Sequence, residues 1–495
     1  MTFHRTLCLA KSSFVSLIIV GVFAVTPASA QTATPPQNAP STVRHEPAAN
    51  TPAQPAQTKI TPEQAKELFR EVDTILKFAS GDTGLPVKQE VKRKLVDRDE
   101  VVSYLEKNMK EDKDAQRLQR SELVLKKFGL LPRDFDLKTF LVSLLREQVA
   151  GYYDPKTKTV NLLDWLDVEQ QRPVLAHELT HALQDQSFDL GKWMKAGDVD
   201  LDDIKDLKAE DVEKDEISDA RQAVVEGQAM AVLLDYMLEP LGKSITSSPE
   251  MLGVLEDSML SGTPDAPEFK NAPIFIKESL TFPYRYGLDF TVALLRSGGK
   301  ERAFAQALAN PPQTTRQIME PQTYLSGETI APVPLLDFKN DLKNYDRFDI
   351  GAMGEFDVAL LVDQYAGTEK SKEIYPAWRG GYYYAVVPKG NATGQLGFVY
   401  VSRWASAEKA DEFAAIYANS LKDRYQQAHL VAESGRPAVD PTKTKSLSGA
   451  HTWETEEGAV TIHAEGNDLL ITESLDSATA HKVDEELFAP AAVSR

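Results

Sequence analysis

The sequence predicts an α+β protein that consists of a largely helical domain with a small β-sheet, followed by a small C-terminal α+β domain. Three observations predict this class. Helical periodicity runs through much of 61–148, a strand–turn–strand pattern occupies 149–163, and short apolar strand-like runs follow the proline-rich break at 331–334. Because the chain has 495 residues, it exceeds one average core, and we expect more than one domain.

We expect residues 1–30 to be a signal peptide. Arg5 and Lys11 precede the apolar run 14–25, and Ala28-Ser29-Ala30 has the small-x-small form that signal peptidase recognises. The apolar run is shorter than the roughly 20 residues that a membrane-spanning helix needs. An uncleaved anchor is the alternative, but we expect no stable membrane insertion after cleavage.

Residues 31–58 contain Pro, Ala, Thr and Gln with almost no large apolar side chains, which predicts a disordered tether. The main domain is then expected at 59–335 and the second domain at 345–495. An exported chain of this kind is expected in the periplasm or outside the cell.

The only cysteine, Cys8, lies within the expected signal peptide. A mature chain without cysteine has neither disulfides, nor a thiol nucleophile, nor cysteine-type zinc sites. The formal net charge is −19, and loss of Arg5 and Lys11 makes it −21. This balance disfavours nucleic acid and anionic lipid surfaces as partners.

The N-terminal half of the main domain is predicted to be helical. Thr61-Pro62-Glu63-Gln64 has a capping residue, a proline at the first helical position and a glutamine three residues after the cap, as helix starts do. The predicted helices are 61–79, 98–110, 114–129 and 136–148. In the hairpin at 149–163, Asp154-Pro155 opens the turn. The hairpin either forms an edge above the next helix, where an extended substrate can pair, or serves only as scaffold.

Eleven acidic residues lie between 198 and 219. A calcium loop of the EF-hand kind requires glycine at its sixth position and glutamate at its twelfth, where this run has Asp203 and Ala209. We therefore expect residues 198–219 to form a solvated acidic connection, which could serve as a flexible flap over a functional site.

Chemistry is indicated most strongly by His177-Glu178-Leu179-Thr180-His181, an HExxH sequence in a segment of helical period. Histidines four residues apart project from one helix face, so His177 and His181 can converge on one divalent metal ion, and Glu178 then lies beside it as a general base. Pro173 is expected in the first turn of this helix. The alternative is a surface helix with two solvated histidines.

A catalytic zinc site needs a third protein ligand and one open position for water. Between positions 181 and 429 there is no further histidine, so the candidates are carboxylates. Glu226 is central in the apolar helical segment 219–232, where Gly227 and its neighbouring alanines permit close approach of another helix. The alternative ligand is a residue of the acidic connection such as Glu216.

An HExxH sequence followed some forty-five residues later by a helix-borne glutamate in an E-G-x-A context resembles the gluzincin metallopeptidases. The resemblance covers about 149–235. It implies a zincin-like fold, zinc binding by His177, His181 and Glu226, and Glu178 as catalytic base. The family has an acidic residue four positions after the ligand glutamate, where this chain has Met230.

The carboxylate that supports the ligands must therefore come from elsewhere, with Asp219 and Asp185 as candidates. Peptide hydrolysis also needs a donor to the developing oxyanion. We expect it in 280–287, before another apolar helix, at Tyr284 or Tyr286. Aromatic packing near a helix start is the alternative for both tyrosines.

The segment after 345 predicts a small α+β domain with an antiparallel sheet. Its expected helices are 356–365 and 405–424, and its expected strands include 378–387, 396–402 and a hairpin closed by Gly466-Asn467-Asp468. The four histidines in this region lack ligand spacing. Substrate positioning or binding of another envelope component is the expected use.

Together these features predict an exported zinc-dependent metallopeptidase that acts on peptide or protein substrates. Two alternatives stay open: a catalytically quiet zinc-containing scaffold or binding protein of the cell envelope, and a metal-dependent hydrolase of another bond.

Overall fold

A computed structural model describes residues 59–108, 112–148, 151–197, 201, 204, 206–253, 267–431 and 444–488. The expected signal peptide and tether lie outside these residues. In the described part, the protein is a mixed α+β structure, as the sequence predicts, with a mainly helical first part and a large antiparallel sheet near its C-terminus.

The N-terminal helices form where the sequence predicts them. Thr61 and Gln64 make the expected capping box at the first of them. Ordered along the chain, the helices and strands up to the hairpin are α1 (Pro62–Thr83), β1 (Lys92–Val96), α2 (Arg98–Asn108), α3 (Asp112–Phe128), α4 (Leu137–Gln148), β2 (Tyr152–Asp154) and β3 (Thr159–Leu163). The sequence analysis missed β1, since its Lys-Arg-Lys start lacks strand-like alternation.

The hairpin belongs to a three-stranded sheet with the order β1-β3-β2. Strand β1 is parallel to β3, and β2 is antiparallel to β3 with Tyr153 opposite Val160. Within the described chain, β2 is therefore an edge strand. It packs on the helix that carries the HExxH sequence, α5 (Val168–Phe188).

Helix α5 begins at Val168, so the prediction that Pro173 lies in its first turn is wrong. Asp167 caps the helix by accepting a hydrogen bond from the Glu169 N–H at 2.9 Å. Pro173 is the sixth helical residue, where it cannot donate to the carbonyl of Glu169. The earlier cap gives the helix one and a half further turns before the histidines.

The next elements lead to the second helix of the site. They are α6 (Leu190–Lys195), α7 (Ala209–Glu213), a 3₁₀ turn (Lys214–Glu216) and α8 (Ile217–Leu238). The expectation of a solvated acidic connection is wrong for its last part, since Asp215, Glu216 and Asp219 are all buried. Residues 198–200, 202, 203 and 205 lie outside the described residues.

Helix α8 crosses a long helix, α10 (Ile274–Glu301), at very short distance. A Cβ atom at Gly227 would lie 2.0 Å from the backbone of Gly287, and one at Gly287 would lie 2.1 Å from the carbonyl oxygen of Ala223. Only glycine fits at either position. The close helix approach expected at Gly227 is confirmed, but the partner at that point is α10 and not α5.

Helix α10 begins well before the predicted position, and 280–287 lies inside it, with Pro283 within the helix. Helix α10 is preceded by α9 (Pro267–Asn271). Around Gly299, with φ 68°, the backbone leaves helical geometry, and a π-helical turn (Arg302–Gln306) follows. Short helices α11 (Ala307–Ala309), α12 (Thr315–Met319), α13 (Pro321–Ser326) and α14 (Phe338–Asp341) complete the first part.

The C-terminal part contains a seven-stranded antiparallel sheet with the order β4-β5-β6-β10-β9-β8-β7. The hairpin around Gly466, which has φ 58°, forms as predicted. The elements are β4 (Tyr345–Ala352), α15 (Glu355–Ala366), α16 (Thr368–Ile374), β5 (Trp378–Pro388), β6 (Gly397–Trp404), α17 (Ala407–Arg424), β7 (Ala428–Leu430), β8 (Gly449–Thr455), β9 (Gly458–Glu465), β10 (Asp468–Glu473) and α18 (Ser477–Phe488).

Both faces of this sheet are covered. Tyr383 and Tyr400 pack on one face into a core that is continuous with that of the helical part, while Tyr382 and Val401 pack on the other face with Leu336. The two predicted domains therefore share one buried core. Among the described residues, none of the helices combines the length and apolar character required to cross a membrane.

Candidate metal site

The side chains of His177, His181 and Glu226 meet in the buried space between α5 and α8. The two histidine Nε2 atoms are 3.0 Å apart, and the Glu226 Oε2 atom lies 3.1 Å from His177 Nε2 and 3.5 Å from His181 Nε2. Ligand atoms about 2.1 Å from a tetrahedral zinc ion would be separated by about 3.3–3.4 Å. The three residues therefore could hold a metal ion.

The helix spacing explains this convergence. His177 and His181 lie one turn apart on α5, and their rings are nearly perpendicular at a centroid distance of 4.7 Å. Glu226 reaches the same point from the middle of α8, whose depth is fixed by the glycine contact with α10. Both histidines are fully buried, and Glu226 is 5 % exposed.

The electrostatics of the three residues favour a cation. Burial lowers the pKa of His177 to about 4, so this ring is neutral and has a lone pair at neutral pH. Burial acts in the same direction on His181, but the Glu226 carboxylate outweighs it and raises the pKa of His181 to about 9. A positive charge is thus stabilised between these side chains, whether a proton or a metal ion supplies it.

Glu178 lies next to His177 and is fully buried against the hairpin. Its Oε2 atom accepts a hydrogen bond from the backbone N–H of Tyr153 at 2.7 Å. Gly151 lies beside this contact, and a Cβ atom there would lie 3.1 Å from Val174, so Val174 would have to shift to accept a side chain. The edge strand therefore contacts the proposed base directly.

The two carboxylates expected to support the metal ligands have other contacts. Asp185 accepts hydrogen bonds from the Tyr153 hydroxyl at 2.7 Å and from Lys158 Nζ at 2.6 Å, so it ties the hairpin to α5. Burial raises the pKa of Asp219 well above its usual value, and the carboxylates of Asp357 and Asp215 add to the shift. Asp219 thus belongs to a separate carboxyl cluster.

The residue that does support a ligand is Gln184, which the sequence analysis missed. Its Oε1 atom lies 2.8 Å from His181 Nδ1, and its Nε2 atom donates to Gln228 Oε1 at 2.8 Å. A buried glutamine three residues after a ligand histidine lies on the same helix face. That spacing is the signal that could have indicated it.

The structure separates the two tyrosines proposed as oxyanion donors. The Tyr284 ring lies nearly parallel to the His177 ring at 6.3 Å, whereas Tyr286 packs against Phe282 and Phe356 at 5.4 and 6.2 Å. Residues two apart on a helix project about 200° from each other, so both cannot face one site. The sequence predicts a later start for α10, which would leave both tyrosines before the helix and hide this difference between them.

Glu216, the alternative third ligand, lies elsewhere. Its Oε1 atom accepts a hydrogen bond from the Thr315 hydroxyl at 2.7 Å and packs against Gly354, where a Cβ atom would lie 1.4 Å from it. In the described part of the chain, the convergent metal-ligating group is made by His177, His181 and Glu226.

The fold and the site define a mixed α+β protein with a buried candidate metal site. Comparison with known families adds one match, in which residues 345–484 fit the model of a domain of unknown function (DUF8575). This match covers all seven strands of the C-terminal sheet and none of the candidate ligands. Searches of curated proteins and of solved structures found no match.

Proposed function

We propose that this protein is an exported zinc-dependent metallopeptidase with a zincin-like catalytic domain. The observation that carries the proposal is the convergence of His177, His181 and Glu226 beside a carboxylate that is not itself in the ligand group, Glu178. Two imidazoles and one carboxylate are a donor set that catalytic zinc sites use, with the fourth position left to water. Export is supported by the signal-peptide pattern of residues 1–30.

A bound zinc ion would act as a Lewis acid and lower the pKa of a coordinated water to about 7. Glu178 would take a proton from the attacking water and deliver it to the leaving amine of the peptide. The Tyr153 N–H holds one carboxylate oxygen of Glu178 in place for this transfer. Tyr284, which stands over His177, would donate a hydrogen bond to the developing oxyanion.

A catalytically quiet zinc-containing scaffold is the second candidate, and one observation favours it. His177, Glu178 and His181 are all fully buried, which a purely structural site would require and a catalytic site must relieve when substrate enters. The presence of Glu178 favours the peptidase, because a structural site has no use for a base.

The test uses the zinc-loaded mature protein with denatured casein and a mixture of unstructured peptides, with products read by mass spectrometry. We expect the wild type to cleave and Glu178→Gln to lose about 10²–10⁴ in rate at unchanged zinc content. Tyr284→Phe should lose about 10²-fold or more in kcat. Glu169→Gln on the exposed start of α5 is the matched control and should be unaffected.

One result would contradict the peptidase, and a second would contradict the role given to Glu178. If the zinc-loaded wild type cleaves neither substrate, the scaffold becomes the better interpretation. If Glu178→Gln cleaves as fast as the wild type, the base has been assigned wrongly.

A further inference from the structure

We propose that Gln184 and Gln228 form an uncharged amide relay that fixes the tautomer of His181 for metal binding. This inference rests on the metal site of the proposed function, but not on peptide hydrolysis. It assigns a positioning role to two residues, and both are fully buried.

The direction of the relay follows from its last member. Gln228 Nε2 lies 2.7 Å from the carbonyl oxygen of Ala303 and 3.2 Å from that of Phe304. Because carbonyl oxygens only accept hydrogen bonds, the amide nitrogen of Gln228 must point toward them. Its Oε1 atom then faces Gln184 as an acceptor.

The amide orientation of Gln184 follows from its acceptors in the same way. Its Nε2 atom donates to Gln228 Oε1 at 2.8 Å and to the carbonyl oxygen of Val225 at 3.1 Å. Its Oε1 atom is thereby turned toward His181 Nδ1, 2.8 Å away. An acceptor at this position requires that Nδ1 carry a proton, so in the neutral ring that binds a metal ion the lone pair is on Nε2, the atom that faces His177 and Glu226.

A local irregularity supplies the acceptor at the end of the relay. In the π-helical turn at 302–306, the N–H of Ala307 donates to the carbonyl of Arg302, five residues back, in place of that of Ala303. The Ala303 carbonyl is therefore available to Gln228. Such π-helical turns occur frequently at functional sites.

The two histidines are supported differently. His177 Nδ1 is buried and has no hydrogen-bond partner among the described residues, so that ring is oriented by packing and by its Nε2 contact with Glu226 at 3.1 Å. A neutral amide supports His181 without adding negative charge to a buried site that already contains Glu226 and Glu178. The relay therefore orients His181 without burying a further charged group.

The test is zinc affinity, measured by competition with a chromophoric chelator in the absence of substrate. We expect Gln184→Leu to weaken zinc binding about 10–100-fold, the usual effect of losing a partner of a ligand histidine. Gln228→Leu should weaken it less than Gln184→Leu does, by about tenfold. The double variant should bind no more weakly than Gln184→Leu, because the two amides act in series.

Gln171→Leu is the matched control. Gln171 is an equally buried glutamine on α5, but its amide bonds with the backbone of Leu163 and Leu166. It should lose stability and keep wild-type zinc affinity.

Wild-type affinity in Gln184→Leu would overturn the relay, whatever the protein hydrolyses. If Gln184→Leu does not fold, Gln228→Leu decides the question, because its amide touches neither imidazole and unchanged affinity would exclude the relay. A protein that binds zinc through this relay and cleaves no peptide would contradict the proposed peptidase alone.

Discussion

Two buried ionic clusters, one in each part of the molecule, differ in how their charges are balanced. In the sheet region, Arg424 Nη2 lies 2.7 Å from both carboxylate oxygens of Glu473, and the hydroxyls of Tyr417 and Tyr425 donate to the same carboxylate at 2.7 and 2.6 Å. Every charge there has an opposite charge within the protein. The charge of the Glu473 carboxylate is therefore balanced by the protein itself.

The candidate metal site has no permanent cation of this kind among its described ion pairs. Glu226 pairs there with the Nε2 atoms of His177 and His181. The positive charge beside it is a proton on His181, whose pKa is raised to about 9, and a bound metal ion would displace that proton. The comparison indicates that one cluster serves stability while the other is arranged for an added cation.

The largest expected effect is the loss of zinc binding when a direct ligand, Glu226 or His181, is removed. We expect Glu226→Ala and His181→Ala each to weaken zinc binding by more than about 100-fold, because each removes a direct ligand, whereas loss of an indirect partner alone costs 10–100-fold. Elemental analysis of the purified proteins should give about one zinc per wild-type chain and almost none in either variant. Retention of zinc by both variants would mean that the ion binds elsewhere.

In the sheet region, we expect a substitution to reduce stability and to leave zinc binding unchanged. Arg424→Met should cost about 3–5 kcal/mol in the free energy of unfolding, because it leaves the Glu473 carboxylate buried without a cation. Zinc content should not change. Urea denaturation measures the loss, and the double variant Arg424→Met with Glu473→Leu should recover part of it.

Arg403→Met is the control for this prediction. Arg403 pairs with Asp468 at 2.7 Å in the same sheet, but both side chains are about one-third exposed. The pair should be worth about 0–1 kcal/mol. An equal loss in Arg403→Met and Arg424→Met would show that burial does not distinguish the two pairs.

The comparison also explains what the sequence could predict. His177 and His181 are related by helix periodicity alone, and Glu226 was the only carboxylate near the centre of the next apolar helix. The Gln184–Gln228 contact and the Arg424–Glu473 pair join separate elements, and nothing in local spacing indicates such pairs. The two strands of the C-terminal hairpin, by contrast, were predictable from the alternation of apolar residues and from Gly466 at the turn.

The predicted helix starts are wrong where tertiary packing overrides the usual position of proline. Pro173 and Pro283 favour helix starts, yet both lie inside long helices, α5 and α10. This moved the start of α10 and made Tyr284 and Tyr286 equivalent candidates.

The sequence predicts solvation for the buried acidic residues of the connection, because the groups they contact are distant in sequence. The Thr315 hydroxyl, which donates to Glu216, and the Ala352 N–H, which donates to Asp215, lie 99 and 137 residues further along the chain.

Glu216 and the nearby Asp357 give the last prediction, because the pH dependence of stability that they cause is opposite in sign to that of Glu473. Burial raises the pKa of Glu216 to about 7 and that of Asp357 to about 6, with neighbouring carboxylates adding to both shifts. Burial also opposes ionisation of Glu473, but Arg424 and Lys127 outweigh it and hold its pKa below 4.5. The stability that Glu473 contributes is therefore lost only in acid.

For Glu216, the folded protein binds a proton more tightly than the unfolded chain does, so its contribution is fully present below pH 4.5 and is lost as the pH rises through about 7. We expect the free energy of unfolding to fall between pH 5 and pH 8, and Glu216→Gln to reduce that fall by about 1–3 kcal/mol. The variant keeps an oxygen that can accept from Thr315, so its packing is preserved. Urea denaturation at several pH values measures how the free energy of unfolding changes with pH in the wild type and in Glu216→Gln. An equal change in both proteins would show that Glu216 is already ionised within the fold.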